Sequence, residues 1–171
     1  MTKYSLEERI SIYAKPLEDQ FVKVFQQGDA IVLRHLIRSD LSSDYNRVLD
    51  VAKALALEKN GPIYILPEIN SHEITLRMSL GLRADNGFTP DIMIEKGSFI
   101  DVKSPEKIDR LSTNACKAYK QGGVACITDH SLKLEKGLID KYAKWVLESQ
   151  GYKYKEVYFY IEGVLYKRAK E

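Results

Sequence analysis

Asp91, Asp101 and Lys103 are the residues in this chain whose types and spacing best suit chemistry. They lie in the stretch Pro90-Asp91-Ile92-Met93-Ile94-Glu95-Lys96-Gly97-Ser98-Phe99-Ile100-Asp101-Val102-Lys103-Ser104-Pro105. Two carboxylates brought together hold a hard divalent cation, and a lysine beside them stabilises negative charge on a phosphoryl oxygen. That is the equipment for cutting a phosphodiester bond. The same three side chains on a wet sheet face would be no more than a surface ion cluster.

The stretch reads as two short strands joined by a turn at Gly97. Side chains alternate along a strand, so Asp101 and Lys103 point the same way. A two-residue loop at Lys96-Gly97 puts Asp91 on the opposite face from Asp101. A three-residue loop at Glu95-Lys96-Gly97 puts it directly across. Only the second gathers Ile92, Ile94, Ile100 and Val102 on one face, and it sets Gly97 where a left-handed residue is wanted. The expectation is therefore a three-residue loop, with Asp91, Asp101 and Lys103 sharing the face away from the core. Carboxylates directly opposed on neighbouring strands have Cβ atoms about 5 Å apart and repel unless a cation or proton lies between them.

Further polar residues follow. Ser104 adjoins the lysine, and Ser112 and Thr113 precede Asn114. If Glu106 to Gln121 is one helix, Arg110, Asn114, Lys117 and Gln121 form a stripe on one face, suited to phosphates and base edges. A solvated helix face is the alternative. Glu68, at the end of an apolar run, is a candidate third metal ligand or base. The histidines His35, His72 and His130 have no partner at metal spacing, which argues against a zinc site. His130, beside Asp129, is the candidate for proton transfer.

The elements that must position these groups are legible from periodicity. Ser5 to about Gln27 is helical in pattern, opened by a Ser5/Glu8 capping box and kinked at Pro16. Ala30 to Leu36 reads as a strand. A second helix, capped by Ser42 or Ser43, runs to Asn60-Gly61-Pro62. Ile63 to Leu66 is a strand, residues 70–89 are irregular with a turn signal at Asp85-Asn86-Gly87, and the hairpin follows. Gly122-Gly123 ends the next helix, and Val124 to Thr128 is a strand. Leu132 to Gln150 reads as a long amphipathic helix, and a hairpin turning at Glu162-Gly163 closes the chain. The expected fold is α+β: one domain over 1–171, its N-terminal helices packed on a mainly antiparallel sheet with interleaved helices, and residues 1–40 a helical extension.

The chain has 171 residues, 44% hydrophobic and 29% charged, enough for a sizeable core and not the composition of a disordered segment. A net charge of +2 leaves any nucleic-acid contact to local clustering, such as the lysine- and tyrosine-rich C-terminal segment. Cys116 and Cys126 lack metal spacing and read as free thiols. No apolar run nears the ~20 residues of a membrane span, and no signal-peptide form is present, so a cytosolic workplace is expected.

Two resemblances follow from these residues. Pro90-Asp91 with Asp101-Val102-Lys103 resembles the signature of the PD-(D/E)xK nucleases, which implies magnesium held by Asp91 and Asp101 and a lysine that orients or activates water; Glu68, from its position, is the candidate further ligand in that alternative. A wider pattern covers roughly residues 40–168. It comprises Asp44-Tyr45 with Val48 through Ala56, Ile65-Leu66-Pro67-Glu68, the hairpin to Pro105, Asn114, Ala118, Lys120-Gln121-Gly122 and the terminal hairpin. This pattern resembles the nuclease domains of bacterial polymorphic and contact-dependent inhibition toxins of the barnase/EndoU/colicin/RelE-like superfamily. It implies a ribonuclease that needs no metal cofactor, acts on RNA such as tRNA in the cytoplasm of a target cell after delivery within a larger toxin, and has a cognate immunity protein. Asp101, Lys103, Ser104, Asn114 and Gln121 are the positions it carries over. The chain departs from barnase-like and EndoU-like sites in lacking an evident catalytic histidine. The metal-free ribonuclease is the leading expectation, with Lys103, Asp101, Asp91 and His130 catalytic. A magnesium-dependent nuclease is the first alternative. A non-catalytic nucleic-acid-binding or toxin-neutralising protein is the second.

Overall fold

The computed structural model describes residues 4–83 and 87–171. It is an α+β fold in which eight strands among the described residues form one mixed sheet, and their order across the sheet is their order in the chain. The strands are β1 (Phe21–Gln27), β2 (Ala30–His35), β3 (Pro62–Ile65), β4 (Ile92–Glu95), β5 (Ser98–Lys103), β6 (Val124–Thr128), β7 (Glu156–Ile161) and β8 (Val164–Ala169). β1–β2, β3–β4, β4–β5 and β7–β8 pair antiparallel; β2–β3, β5–β6 and β6–β7 pair parallel. Each parallel step needs a crossover. Helices α2 (Tyr45–Lys59), α4 (Leu111–Lys120) and α5 (Ile139–Leu147) supply the three crossovers. Helices α1 (Leu6–Tyr13) and α3 (Ile74–Leu80) complete the set. None of the helices described is long and apolar enough to cross a membrane.

The helical reading of residues 5–27, and with it the helical extension over 1–40, is corrected. The Ser5/Glu8 capping box does open α1, but the helix stops before Pro16, a short 3-10 turn spans Leu17–Gln20, and Phe21–Gln27 is a strand hairpinned to β2. Phe21, Val24 and Phe25 fit helical spacing, but the ladder to β2 satisfies the backbone and the β-branched and aromatic side chains suit it. Ser42 and Ser43 do not cap α2; its N-cap is Asp44, and Asn60 ends it in a left-handed conformation. The helix expected over 132–150 forms only at Ile139–Leu147, after a 3-10 turn at Lys136–Leu138. Likewise the helix expected from Glu106 begins at Leu111. α3 lies in the stretch read as irregular. The turn signal at Asp85-Asn86 lies outside the described residues.

Both faces of the sheet are covered. On one, Val32, Ile63, Ile65, Ile92 and Ile100 pack under Val48, Val51, Ala52 and Leu55 of α2, with Ile94 and Val102 at the margin. Each such fully buried aliphatic side chain contributes about 1.5–3 kcal/mol. The other face carries two separate clusters. Ala125, Ile127, Val157 and Phe159 pack against α4 and α5. Met93 and Phe99 pack with Leu76 and Leu80 of α3 and with Leu66 and Ile69. A Cβ on Gly81, at the end of α3, would come 2.7 Å from the backbone nitrogen of Gly97, so α3 rests directly on the β4–β5 turn. Arg77 of α3 is fully buried and donates to the carbonyls of Ile69 (2.8 Å), Arg83 (2.8 Å) and Phe88 (2.7 Å).

His35 closes β2 inside this structure. Its Nε2 lies 2.9 Å from Gln20 Oε1, and Nδ1 accepts from the Ile37 amide at 3.2 Å, so Nε2 carries the proton. Burial, with the Arg9 charge second, lowers its pKa from 6.5 to about 4. A depressed folded value means the neutral ring contributes stability in full above pH 6.5 and loses it as pH falls toward 4, a loss of about 3 kcal/mol. The ring proton resonance of His35 should therefore titrate with a midpoint near 4 in the folded protein; a midpoint at the ordinary histidine value would show that the ring is not enclosed.

Candidate functional site

Asp91 stands immediately before β4 and Asp101 lies within β5. Ile92 faces Ile100, so the two aspartates are directly opposed, as the apolar pattern required. The register is reached differently from the expectation. The loop has two residues, Lys96-Gly97, with Glu95 facing Ser98, and a bulge at Ile94 restores the pairing. The carboxylates also terminate the ladder. The Asp91 amide donates to Asp101 Oδ1 at 3.2 Å, and the Val102 amide donates to Asp91 Oδ2 at 2.9 Å. On the far side of β5, a Cβ at Gly123 would lie 2.7 Å from the Asp101 nitrogen. The entry to β6 thus presses on the strand that carries Asp101.

The expectation that these charges share a face away from the core is corrected, and the alternative of a cluster on a wet sheet face goes with it. They share a face with Met93 and Phe99 on one side and Ala125 and Ile127 on the other, in the seam between the two clusters. Asp101 is 2% exposed. Burial raises the pKa of Asp91, and burial followed by the neighbouring Asp91 charge holds that of Asp101 well above the usual carboxylate range. Lys103 opposes this: its Nζ lies 2.7 Å from Asp101 Oδ2. That contact is ionic in distance but poorly directed, and Asp101 Oδ2 remains a buried oxygen without a hydrogen bond. The lysine donates instead to Gln121 Oε1, at 2.7 Å.

A cleft of about 240 Å³ opens beside the pair, lined by Arg38, Pro67, Glu68, Phe88, Asp91 and Gln121 among others. Arg38 escaped the sequence reading. It reaches from the segment after β2, with its guanidinium 3.3 Å from Asp44 Oδ2 and 5.9 Å from the Tyr45 ring centroid; its charge acts on Asp91, and its Nε is buried without a hydrogen bond. No motif marks it; only the parallel β2–β3 pairing brings that segment near Asp91. Arg77, on the short helix α3, and Phe88, in the segment before β4, were missed because residues 70–89 carry no clear periodicity.

Of the residues expected to join the site, the structure brings Asp91, Asp101, Lys103 and Gln121 together, with Glu68 exposed at the cleft wall. Ser104 pairs its hydroxyl with Thr128, 2.5 Å away. His130 is exposed beyond β6, and its link to this group is its backbone amide, 3.4 Å from Thr128 Oγ1. The stripe does not form as one wall. Ser112 donates to the Trp145 carbonyl, Asn114 to the Arg110 carbonyl one turn back, and Arg110, Thr113 and Lys117 are exposed to solvent. Arg110 precedes the first turn of α4.

A divalent cation suits this arrangement. The opposed Asp91 and Asp101 carboxyls, the first half-buried and the second buried with one oxygen that has no hydrogen bond, have a single ammonium beside them, and oxygen donors favour magnesium or a similar hard ion. Among the described residues no cluster of three or more His, Cys, Asp and Glu side chains forms. Magnesium does not need one, because it commonly uses one or two carboxylates and keeps several waters. No protein-family model matches the chain, and no curated protein or solved structure shows significant similarity to it.

The raised carboxyl values carry a pH signature. The folded state holds a proton that the unfolded chain releases near pH 4, so this pair lowers stability as pH rises from there to the folded value. Magnesium should raise the melting temperature, and by more at pH 8 than at pH 5, because it competes with that proton. Asp91→Asn should stabilise the metal-free protein by about 1–3 kcal/mol and abolish the magnesium-dependent shift. Equal magnesium shifts in wild type and Asp91→Asn, measured by calorimetry, would remove the pair as a cation site.

Proposed function

We propose that this chain is a divalent-metal-dependent nuclease that hydrolyses phosphodiester bonds at the Asp91/Asp101/Lys103 group. The observation that carries this reading is the opposed pair of Asp91, which lines a cleft, and buried Asp101, with Lys103 beside the latter. It favours the PD-(D/E)xK resemblance over the metal-free ribonuclease. The latter needs proton carriers that reach the substrate, whereas Asp101 is buried and His130 is not among the residues that line the cleft.

Asp91 and Asp101 would hold the ion, which would draw charge from the phosphoryl oxygens and favour ionisation of a bound water. Lys103 has three donors, of which Gln121 engages one; the ion pair with Asp101 holds the ammonium in place without a hydrogen bond, which leaves a donor for the attacking water or a phosphoryl oxygen. Gln121 fixes the ammonium position. Arg38, on the cleft wall, supplies positive charge to a flanking phosphate. Water adds to phosphorus, the P–O bond to the departing sugar breaks, and the departing oxygen takes up a proton. Deployment as a delivered toxin against RNA in the cytoplasm, neutralised by an immunity protein, is the biological setting in which such an activity would be harmful to a cell; growth arrest on expression, relieved by Lys103→Ala, would support it.

Incubation of the purified protein with total RNA and with plasmid DNA, each with magnesium and with EDTA, tests the chemistry. Cleavage should require magnesium and fall by about 10²–10³-fold in Lys103→Ala. RNA cleavage that persists in EDTA would return the metal-free scheme, and no cleavage of either polymer would sink both.

A further inference from the structure

Phe88 is 52% exposed, although it lies three residues before Asp91 on a segment whose backbone is tightly held. The fully buried Arg77 fixes that backbone by donating from Nη2 to the Phe88 carbonyl at 2.7 Å. Thr89, the next residue, receives the Ile69 amide on its hydroxyl at 3.0 Å. An apolar ring left half in water on a fixed backbone has surrendered much of its burial energy without becoming a mobile loop tip.

The ring also stands between two clefts. One is the 240 Å³ cleft that contains Asp91 and Arg38; the other, of about 160 Å³, is lined by Arg83, Phe99, Gly122 and Tyr154. Both are lined by Phe88 and by Gln121, the residue that holds Lys103. Phe88 thus borders both clefts, with Asp91 and Arg38 lining one and Arg83 the other. An aromatic face flanked by cationic side chains is suited to an unpaired base and its phosphates, and stacking needs the base out of a duplex.

Resting on the nuclease reading above, we infer that Phe88 is a stacking platform and that the substrate is single-stranded nucleic acid, with a base on Phe88 and the adjacent phosphodiester at Asp91 and Asp101. The shared chemistry is the π-face of the base, which RNA and DNA both present. Arg77 acts through Phe88 as its positioning residue.

The test measures fluorescence anisotropy of labelled mixed-sequence oligonucleotides with the full chain bearing Lys103→Ala, which suppresses turnover. The ligands are single-stranded RNA, single-stranded DNA and duplex DNA. Both single strands should bind at least tenfold more tightly than duplex, and adding Phe88→Ala should weaken single-strand binding by about tenfold or more, with Phe88→Trp restoring it. A preference for one of the two single strands would identify the source of the base. The magnesium-dependent melting shift should be unchanged in Phe88→Ala, which separates a lost platform from a lost fold. Magnesium-dependent cleavage that favours duplex, or that Phe88→Ala leaves intact, would overturn this inference while the nuclease reading stands. Absence of cleavage of any nucleic acid by the wild-type chain would remove both.

Discussion

Two like charges held face to face under a sheet are the constraint on which the rest of this structure turns. Asp91 and Asp101 cannot move apart, because each carboxylate receives a backbone amide of the opposite strand. Asp101 is buried and Asp91 half-buried, because one apolar cluster flanks them on the β3–β4 side and another on the β6–β7 side. Lys103 compensates in part, and its direction is set by Gln121 at the end of α4. Sheet register, helix placement and the Gly123 abutment all bear on holding a group that would relax if any of them yielded. Such an arrangement is poor for stability, and a bound cation would offset that cost.

The hairpin was legible in the sequence because its two faces differ so sharply. Ile92, Ile94, Ile100 and Val102 required one register, and the structure adopts it even though the turn itself is shorter by a residue and compensated by a bulge. The α+β class, α2, β6 and the terminal hairpin were legible for similar reasons: strong periodicity with glycine or asparagine at the ends. Phe21–Gln27 was not, since its spacing fits either period and only the pairing with Ala30–His35 decides.

The walls of the site were hidden for a different reason. Arg38, Arg77 and Phe88 are gathered by the parallel β2–β3 crossover and by a buried guanidinium collecting carbonyls. Neither leaves a local pattern. The opposite error, the polar stripe from Arg110 to Gln121, came from extending a helix by five residues at its start; with α4 beginning at Leu111, only Gln121 reaches the carboxylates' neighbour.

Strand order in space that follows strand order in sequence bears on how the chain acquires this structure. Every strand pairs with its chain neighbours, and the β1–β2, β4–β5 and β7–β8 hairpins need no distant segment, whereas the parallel pairings wait on their crossover helices. The β4–β5 hairpin is nevertheless a poor starting point, because closing it opposes Asp91 and Asp101 before any cation or helix is in place. The terminal hairpin has the better credentials, with Phe159 facing Tyr166 and Tyr158 facing Lys167 across it. Assembly is thus expected to nucleate at the chain ends and to close the centre last, making the charged seam the final region to become structured.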